Sequence, residues 1–225
     1  RVSHLAAQYL AEAGGFVKNR FLSFAPDNPA TQTAIRVTLV SLQRPDPPNP
    51  GSPPPDFSAF EGQVRWVGPP SDYTESTIPA ATFKGATLQC DPHFMDWGSV
   101  GLVHIFGSEI MPSSEYNVAV ISPDCDPANE TNYSAALTVN TGVWGDIVEP
   151  IQQPAPAQRT QPDLGDIAGL VDKFRAGPAA PIVARAMLQP NIPNPAMQVN
   201  FSDISVCVDS FRGAAYPFSG PTPCP

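Results

Sequence analysis

Residues 16–149 read as a mainly β domain, an immunoglobulin- or fibronectin-like β-sandwich, followed by a small α-helical repeat module at 161–225. Three observations predict this: short apolar–polar alternations separated by turn residues, prolines gathered into a few stretches, and a gapless internal repeat near the C-terminal end. With 225 residues the chain is long enough to bury a sizeable core and to divide in two.

The elements follow in chain order. The sequence starts at Arg1 without a Met, as a processed or truncated product would. In segment 1–15, Val2, Leu5, Ala6, Tyr9 and Leu10 recur at helical spacing until Gly14 and Gly15 stop the pattern. Such a helix is too short to be stable alone and needs a surface to lie on, so Val2, Leu5, Tyr9 and Leu10 are candidate interaction residues. The segment lacks the apolar run of a signal peptide.

Period-two alternation then marks strands. Ile35, Val37 and Leu39 alternate with Arg36 and Thr38; Val64 and Trp66 alternate with Gln63 and Arg65. Tyr116, Val118 and Val120, then Leu137 and Val139, repeat the pattern, with further strands expected at 16–24, 82–89 and 100–106. Seven or eight strands at this spacing argue for two packed sheets, and the period alone does not separate an immunoglobulin- or fibronectin-like sandwich from a jelly roll. The chain has 29 prolines, well above the usual share of about 5%. They cluster at 44–55, 150–162 and 217–225, which reads as a long surface loop, a Pro/Gln-rich linker at 150–160, and an irregular tail.

Residues 161–177, QPDLGDIAGLVDKFRAG, lie over 198–214, QVNFSDISVCVDSFRGA, at an offset of 200 − 163 = 37. Asp163 or Asn200 can cap a helix while Asp166 or Asp203, three residues on, reaches back. Ile167, Leu170, Val171 and Phe174 form one apolar stripe, and Ile204, Cys207, Val208 and Phe211 repeat it. Arg175 and Arg212 fall in the last turn, with Gly177 and Gly213 as stops. Residues 181–187 between the copies suit a short third helix or an extended segment.

This duplicated unit resembles the repeat of dockerin modules, in which half of a calcium loop leads into a helix. Asn200 and Asp203 correspond to the ninth and twelfth positions of such a loop. Ile192, Asn194 and Ala196, and in the first copy Ala155, Ala157 and Arg159, stand where the early ligands belong. These supply too few oxygens for an ion that takes six to eight. Asp163, Asp166, Asn200 and Asp203 are therefore read as helix-start caps rather than metal ligands, and no cofactor, calcium included, is expected. The resemblance implies an extracellular bacterial interaction module. The ending FRGAAYPFSGPTPCP is also similar to tails of uncharacterised secreted bacterial proteins.

The net charge is −9, from 12 basic and 21 acidic residues without a basic stripe, which argues against nucleic acid as a partner. No run of eighteen apolar residues occurs, so no membrane insertion is expected. Cys90, Cys125, Cys207 and Cys224 are an even number without a CxxC spacing and read as disulfides of an oxidising compartment, secreted or at the cell surface. Of three possible pairings, chain proximity favours Cys90–Cys125 and Cys207–Cys224; the alternative for Cys207 is a buried apolar position on its helix.

Candidate chemistry does not converge. Asp91, His93 and Asp96 are the most site-like group, yet they lie in a turn-rich stretch beside Cys90, and Asp124 to Pro127 is another turn. His4 and His104 complete the histidines, none in a metal-ligand spacing, and there is no nucleophile elbow or phosphate loop. Asn129, Asn132 and Asn200 open N-glycosylation triplets. Trp66, Trp97, Trp144 and Tyr73 are candidates for a sugar-stacking platform, with the core as the commoner place for strand aromatics. The favoured function is a non-catalytic extracellular structural or interaction protein, assembling with itself or with another surface component. A carbohydrate-binding module that takes polysaccharide is the first alternative, and a secreted hydrolase the second.

Overall fold

The alternations at 34–42 and 114–121 bury one face of each strand, and their pairing sets the frame of the molecule. The structure is a computed structural model of the chain and describes residues 2–3, 20–26, 32–42, 58–75, 81–148, 162–178, 180–189 and 199–225. The strands are β1 (Val2–Ser3), β2 (Leu22–Pro26), β3 (Ala34–Leu42), β4 (Val64–Val67), β5 (Ser71–Glu75), β6 (Ala81–Gln89), β7 (Val103–Phe106), β8 (Ser114–Ile121) and β9 (Leu137–Asn140). The helices are α1 (Leu164–Phe174), α2 (Val183–Ala186) and α3 (Phe201–Phe211).

The chain is mainly β, as its alternations require. The strands pair into one sheet in the order β1-β2-β7-β6-β4-β3-β8-β9, with β5 added on β6. All pairs are antiparallel except β6–β7. Its far ends approach, β1 against β8 and β2 against β9, so the sheet nearly closes into a barrel. One continuous ladder thus stands where two hydrogen-bonded sheets were expected. The corner is made at Gly68-Pro69-Pro70, between β4 and β5. The prolines cannot donate to a ladder, and a Cβ on Gly68 would stand 2.9 Å from the Gln89 side chain and 3.1 Å from the Thr87 carbonyl oxygen. There β6 exchanges β4 for β5 as its neighbour.

Leu22, Phe24, Ile35, Val37, Leu39, Ala86, Leu88, Val103, Ile105, Tyr116, Val118 and Val120, all at alternate positions, fill the interior together with Trp97, Ile110 and Met111. Outside the sheet, Phe21, Tyr73, Phe83 and Phe106 are buried with Ile182, Val183 and Ala184 at α2.

At the N-terminal end, Val2 and Ser3 pair with Pro26 and Ala25 as a strand, which corrects the helix expected to start there. Leu5, Tyr9 and Leu10 lie outside the described residues, as do His4, the 44–55 loop, the 150–160 linker and the early loop positions of the repeat.

Both copies of the repeat form helices with reciprocal caps. Asp163 accepts from the Gly165 N–H at 2.6 Å while Asp166 Oδ2 accepts from the Asp163 N–H at 2.7 Å. Asn200 accepts from the Ser202 N–H at 2.7 Å while Asp203 Oδ2 accepts from the Asn200 N–H at 3.0 Å. The two helices close in the same way, with Gly177 N–H on the Asp172 carbonyl at 2.7 Å and Ala214 N–H on that of Asp209 at 2.9 Å. This motif needs a left-handed residue one position after the cap. Gly213 holds it in the second copy at φ +82°; in the first it is Ala176 at φ +57°, and not the expected Gly177.

A side chain at left-handed φ costs about 1–2 kcal/mol, partly offset by the freedom that glycine loses on folding. Ala176→Gly is therefore expected to stabilise the fold by about 0.5–1 kcal/mol, read as a higher urea midpoint at unchanged slope. Gly213→Ala should do the reverse.

Candidate functional site

Period two sends His104 to the opposite face from its neighbours Val103 and Ile105, out of the barrel interior but under the aromatic cluster beside α2. It is fully buried. Its ring centroid lies 4.7 Å from Phe21, 5.1 Å from Phe83 in a stacked arrangement, 5.7 Å from Tyr73 and 6.0 Å from Phe106. The Tyr73 hydroxyl bonds its Nδ1, and Nε2 is buried without a hydrogen-bond partner. Burial alone pushes the imidazole down to about 3, so it is neutral at ordinary pH. A general base needs a route to substrate and a pKa near the working pH. His104 has neither.

Of the other sequence candidates, two carboxylates are spent locally. Asp96 Oδ1 accepts from the Gly98 N–H at 2.9 Å, and Asp126 Oδ1 accepts from the Ala128 N–H at 2.9 Å, both as turn formers. Asp91 is exposed, and His93 sets its ring edge-on to Trp97 at 6.4 Å. Asn129 caps a 3-10 turn (Glu130–Asn132), which Glu130 pins to β3 through two bonds of 2.7 and 2.6 Å from Arg36. Arg36 also lies 3.5 Å over the Tyr133 ring and holds the Glu130 carboxyl below its usual range.

Trp66, Trp97, Trp144 and Tyr73 are all buried, Trp97 with its indole N–H on the Thr33 carbonyl at 2.9 Å. They form no stacking platform. Among the described residues no three His, Cys, Asp or Glu groups converge as metal ligands. The candidates Asp163, Asp166, Asn200 and Asp203 each accept backbone N–H groups. Asp166 Oδ1 takes two more, from Ile147 at 2.6 Å and Val148 at 2.9 Å, and Asp203 Oδ1 takes Leu188 at 3.0 Å.

The cysteines require a correction. Cys90 is bridged to Cys224 across 134 residues, while Cys125 and Cys207 are free. Chain proximity misleads because the tail does not stay beside α3. Tyr216 and Phe218 pack around Trp144, with centroids 5.6 and 6.4 Å away. Gly220 then lies on Phe60, whose ring a Cβ would meet at 2.2 Å. The Thr222 N–H and hydroxyl both reach Glu109 at 3.0 Å, and Arg65 bonds both Glu109 and the Thr222 carbonyl. The tail is thus a strap across the barrel, buckled at Cys90. Cys207 takes the alternative place: it is buried on its helix, its thiol pushed up to about 12 by burial and by Asp166, Asp146 and Asp163.

The helix pair shows the opposite of a sealed site. Phe174 at the end of α1 meets Phe201 at the start of α3, with ring centroids 4.7 Å apart. Ser210, near the end of α3, and Pro162, just before α1, both crowd Gly145. The helices therefore run antiparallel. Leu170 and Cys207 are buried between them and the barrel with Ile147, Ala186, Leu188 and Val199. Leu164, Phe174, Phe201 and Phe211 remain 69%, 45%, 72% and 40% exposed. The apolar stripes that end in Phe174 and Phe211 are wider than the contact between the helices, and their outer edge is left in water.

Compared with known protein families, curated proteins and solved structures, the chain matches none.

Peptide mapping without reductant should recover Cys90 linked to Cys224 and two free thiols. By the chain-entropy argument reduction should cost about 5 kcal/mol; a Cys90–Cys125 peptide would contradict the strap. For His104 the native pKa lies below the unfolded value of about 6.5. The unfolded chain gains a proton as pH falls below about 6.5, while the native state refuses it down to about 3. Stability should therefore drop through that window by up to about 1.4 kcal/mol per pH unit from this group. His104→Phe should flatten that slope relative to wild type in urea titrations between pH 7 and pH 4.

Proposed function

We propose that this chain is a non-catalytic extracellular protein that works by contact, assembling with itself or with another cell-surface or matrix component. The observation that carries this reading is the exposure of Leu164, Phe174, Phe201 and Phe211 on one helix pair. Isolated surface apolar residues are ordinary, whereas a contiguous group of large ones marks a binding surface. Asp96, Asp126, Asp163, Asp166 and Asp203 are meanwhile engaged in caps and turns, and His104 is shut away from solvent. On this reading the duplicated, dockerin-like helix pair is the interaction module, and the mainly β body, strapped by its tail, is the carrier.

A location outside the reducing cytosol is part of the same proposal. The Cys90–Cys224 bridge is consistent with an oxidising compartment. Among the described residues no helix is long and apolar enough to cross a membrane.

Two measurements on the full chain test the proposal together. Chromogenic ester, glycoside and peptide substrates should give no turnover above a heat-denatured control. The exposed pair should be dispensable for folding, so Leu164→Ser with Phe201→Ser should leave the melting temperature within about 2 °C while abolishing binding of an apolar fluorescent dye. Robust turnover in the substrate panel would replace this reading with the hydrolase.

A further inference from the structure

The exposed face of the helix pair is repeated within itself. Leu164 and Phe201 differ by 201 − 164 = 37 positions, and so do Phe174 and Phe211, at 211 − 174 = 37. The half-buried residues between them, Ile167 with Ile204 and Val171 with Val208, keep the same offset. At spacings of three, four and three residues, each set makes one stripe along its helix. Because the helices run antiparallel, Phe174 lies on Phe201 at one end of the face. At the other end the start of α1 and the end of α3 converge on Gly145, which brings Leu164 and Phe211 to that side.

The charges around the face follow the same register. The exposed charged residues of the two helices and their C-caps are Asp172 and Arg175 on α1, and Asp209 and Arg212 on α3. Two carboxylates and two guanidinium groups balance among these exposed residues on a chain whose net charge is −9, with the half-buried N-cap Asp163 as a further carboxylate beside Leu164. Two copies of such a chain repel one another through most of their surfaces. Beside this face both signs of charge are present, so an Asp of one copy can oppose an Arg of another, and an apolar centre with a mixed polar rim is the usual anatomy of a protein contact.

Building on the contact function proposed above, we propose that the occupant of this face is the same face of a second copy of the chain. The contact is isologous: the Phe174–Phe201 and Leu164–Phe211 ends are buried against their counterparts while Asp172 and Asp209 meet Arg175 and Arg212 across the interface. An isologous contact closes on a dimer.

Charge exchange tests the partner and the face together. One variant carries Asp172→Lys with Asp209→Lys, which makes the rim wholly cationic. The other carries Arg175→Glu with Arg212→Glu, which makes it wholly anionic. Wild type should dimerise in sedimentation velocity as its concentration is raised. Each variant alone should associate at least tenfold more weakly, and an equimolar mixture should recover dimers to within about threefold of wild type. Circular dichroism and melting temperature confirm that both remain folded. Wild type that stays monomeric throughout would overturn the second copy as occupant, while leaving the contact reading to a different partner. Variants that each dimerise like wild type would overturn the face while leaving self-association intact. Turnover in the substrate panel would instead remove the contact reading itself.

Discussion

One carboxylate fixes how the two halves of this molecule meet. Asp166 closes the cap of α1 with Oδ2 and, with Oδ1, receives the N–H groups of Ile147 and Val148. The second set comes from the chain as it leaves the barrel. A buried carboxylate is costly unless its lone pairs are used, and here three backbone donors use them. Burial raises the acid's pKa and the three bonds lower it, burial being the stronger influence. The position of α1 against the barrel follows from this knot, and the antiparallel seat of α3 follows from α1. Asp203 repeats the device with one fewer donor, holding Leu188 beyond α2.

Local rules made much of this legible in the sequence. The alternations at Ile35, Tyr116 and Leu137 fall in β3, β8 and β9, because a half-buried strand imposes period two; the one at Val64 falls in β4, where Val64 is exposed and Arg65, Trp66 and Val67 are buried in succession. The capping boxes were readable for the same reason: donor and acceptor stand three residues apart. β5 escaped notice because Ser71-Asp72-Tyr73-Thr74-Glu75 shows a single apolar residue, Tyr73, directly after two prolines. Whether the ladder split into two sheets or curled into one was not written in the period, since both bury alternate residues. Curling depends on the corner at Gly68-Pro69-Pro70 and on which strands finally neighbour each other.

What sequence reading could not reach was non-local. The choice between Cys125 and Cys224 as partner of Cys90 depends on the route of the last dozen residues across Trp144, Phe60 and Glu109. That route is set by aromatic packing and by a part-buried ion pair, Arg65 with Glu109 at 3.0 Å. His104 poses the same difficulty. Its alternation with Val103 and Ile105 suggests a residue facing out, and only the cover of Ile182 and Val183, some eighty positions later, turns an outward face into a dry one. The apolar stripe of each repeat helix likewise shows which side is greasy but not how much of it the neighbouring helix covers.

The buckle at Cys90 also decides how the molecule bears load. A covalent bond joins residue 224 to the end of β6, so tension applied beyond Cys224 is delivered to the barrel wall without passing through α1, α2 or α3. The residues between the two cysteines, 134 positions apart, sit outside the covalent line of force, helix pair included. At Cys90 the pull meets β6, which is laddered to β4 and β5 on one edge and to β7 on the other. A strand held on both edges takes the strain, and the face that the helices present to their surroundings lies off the covalent path that carries it.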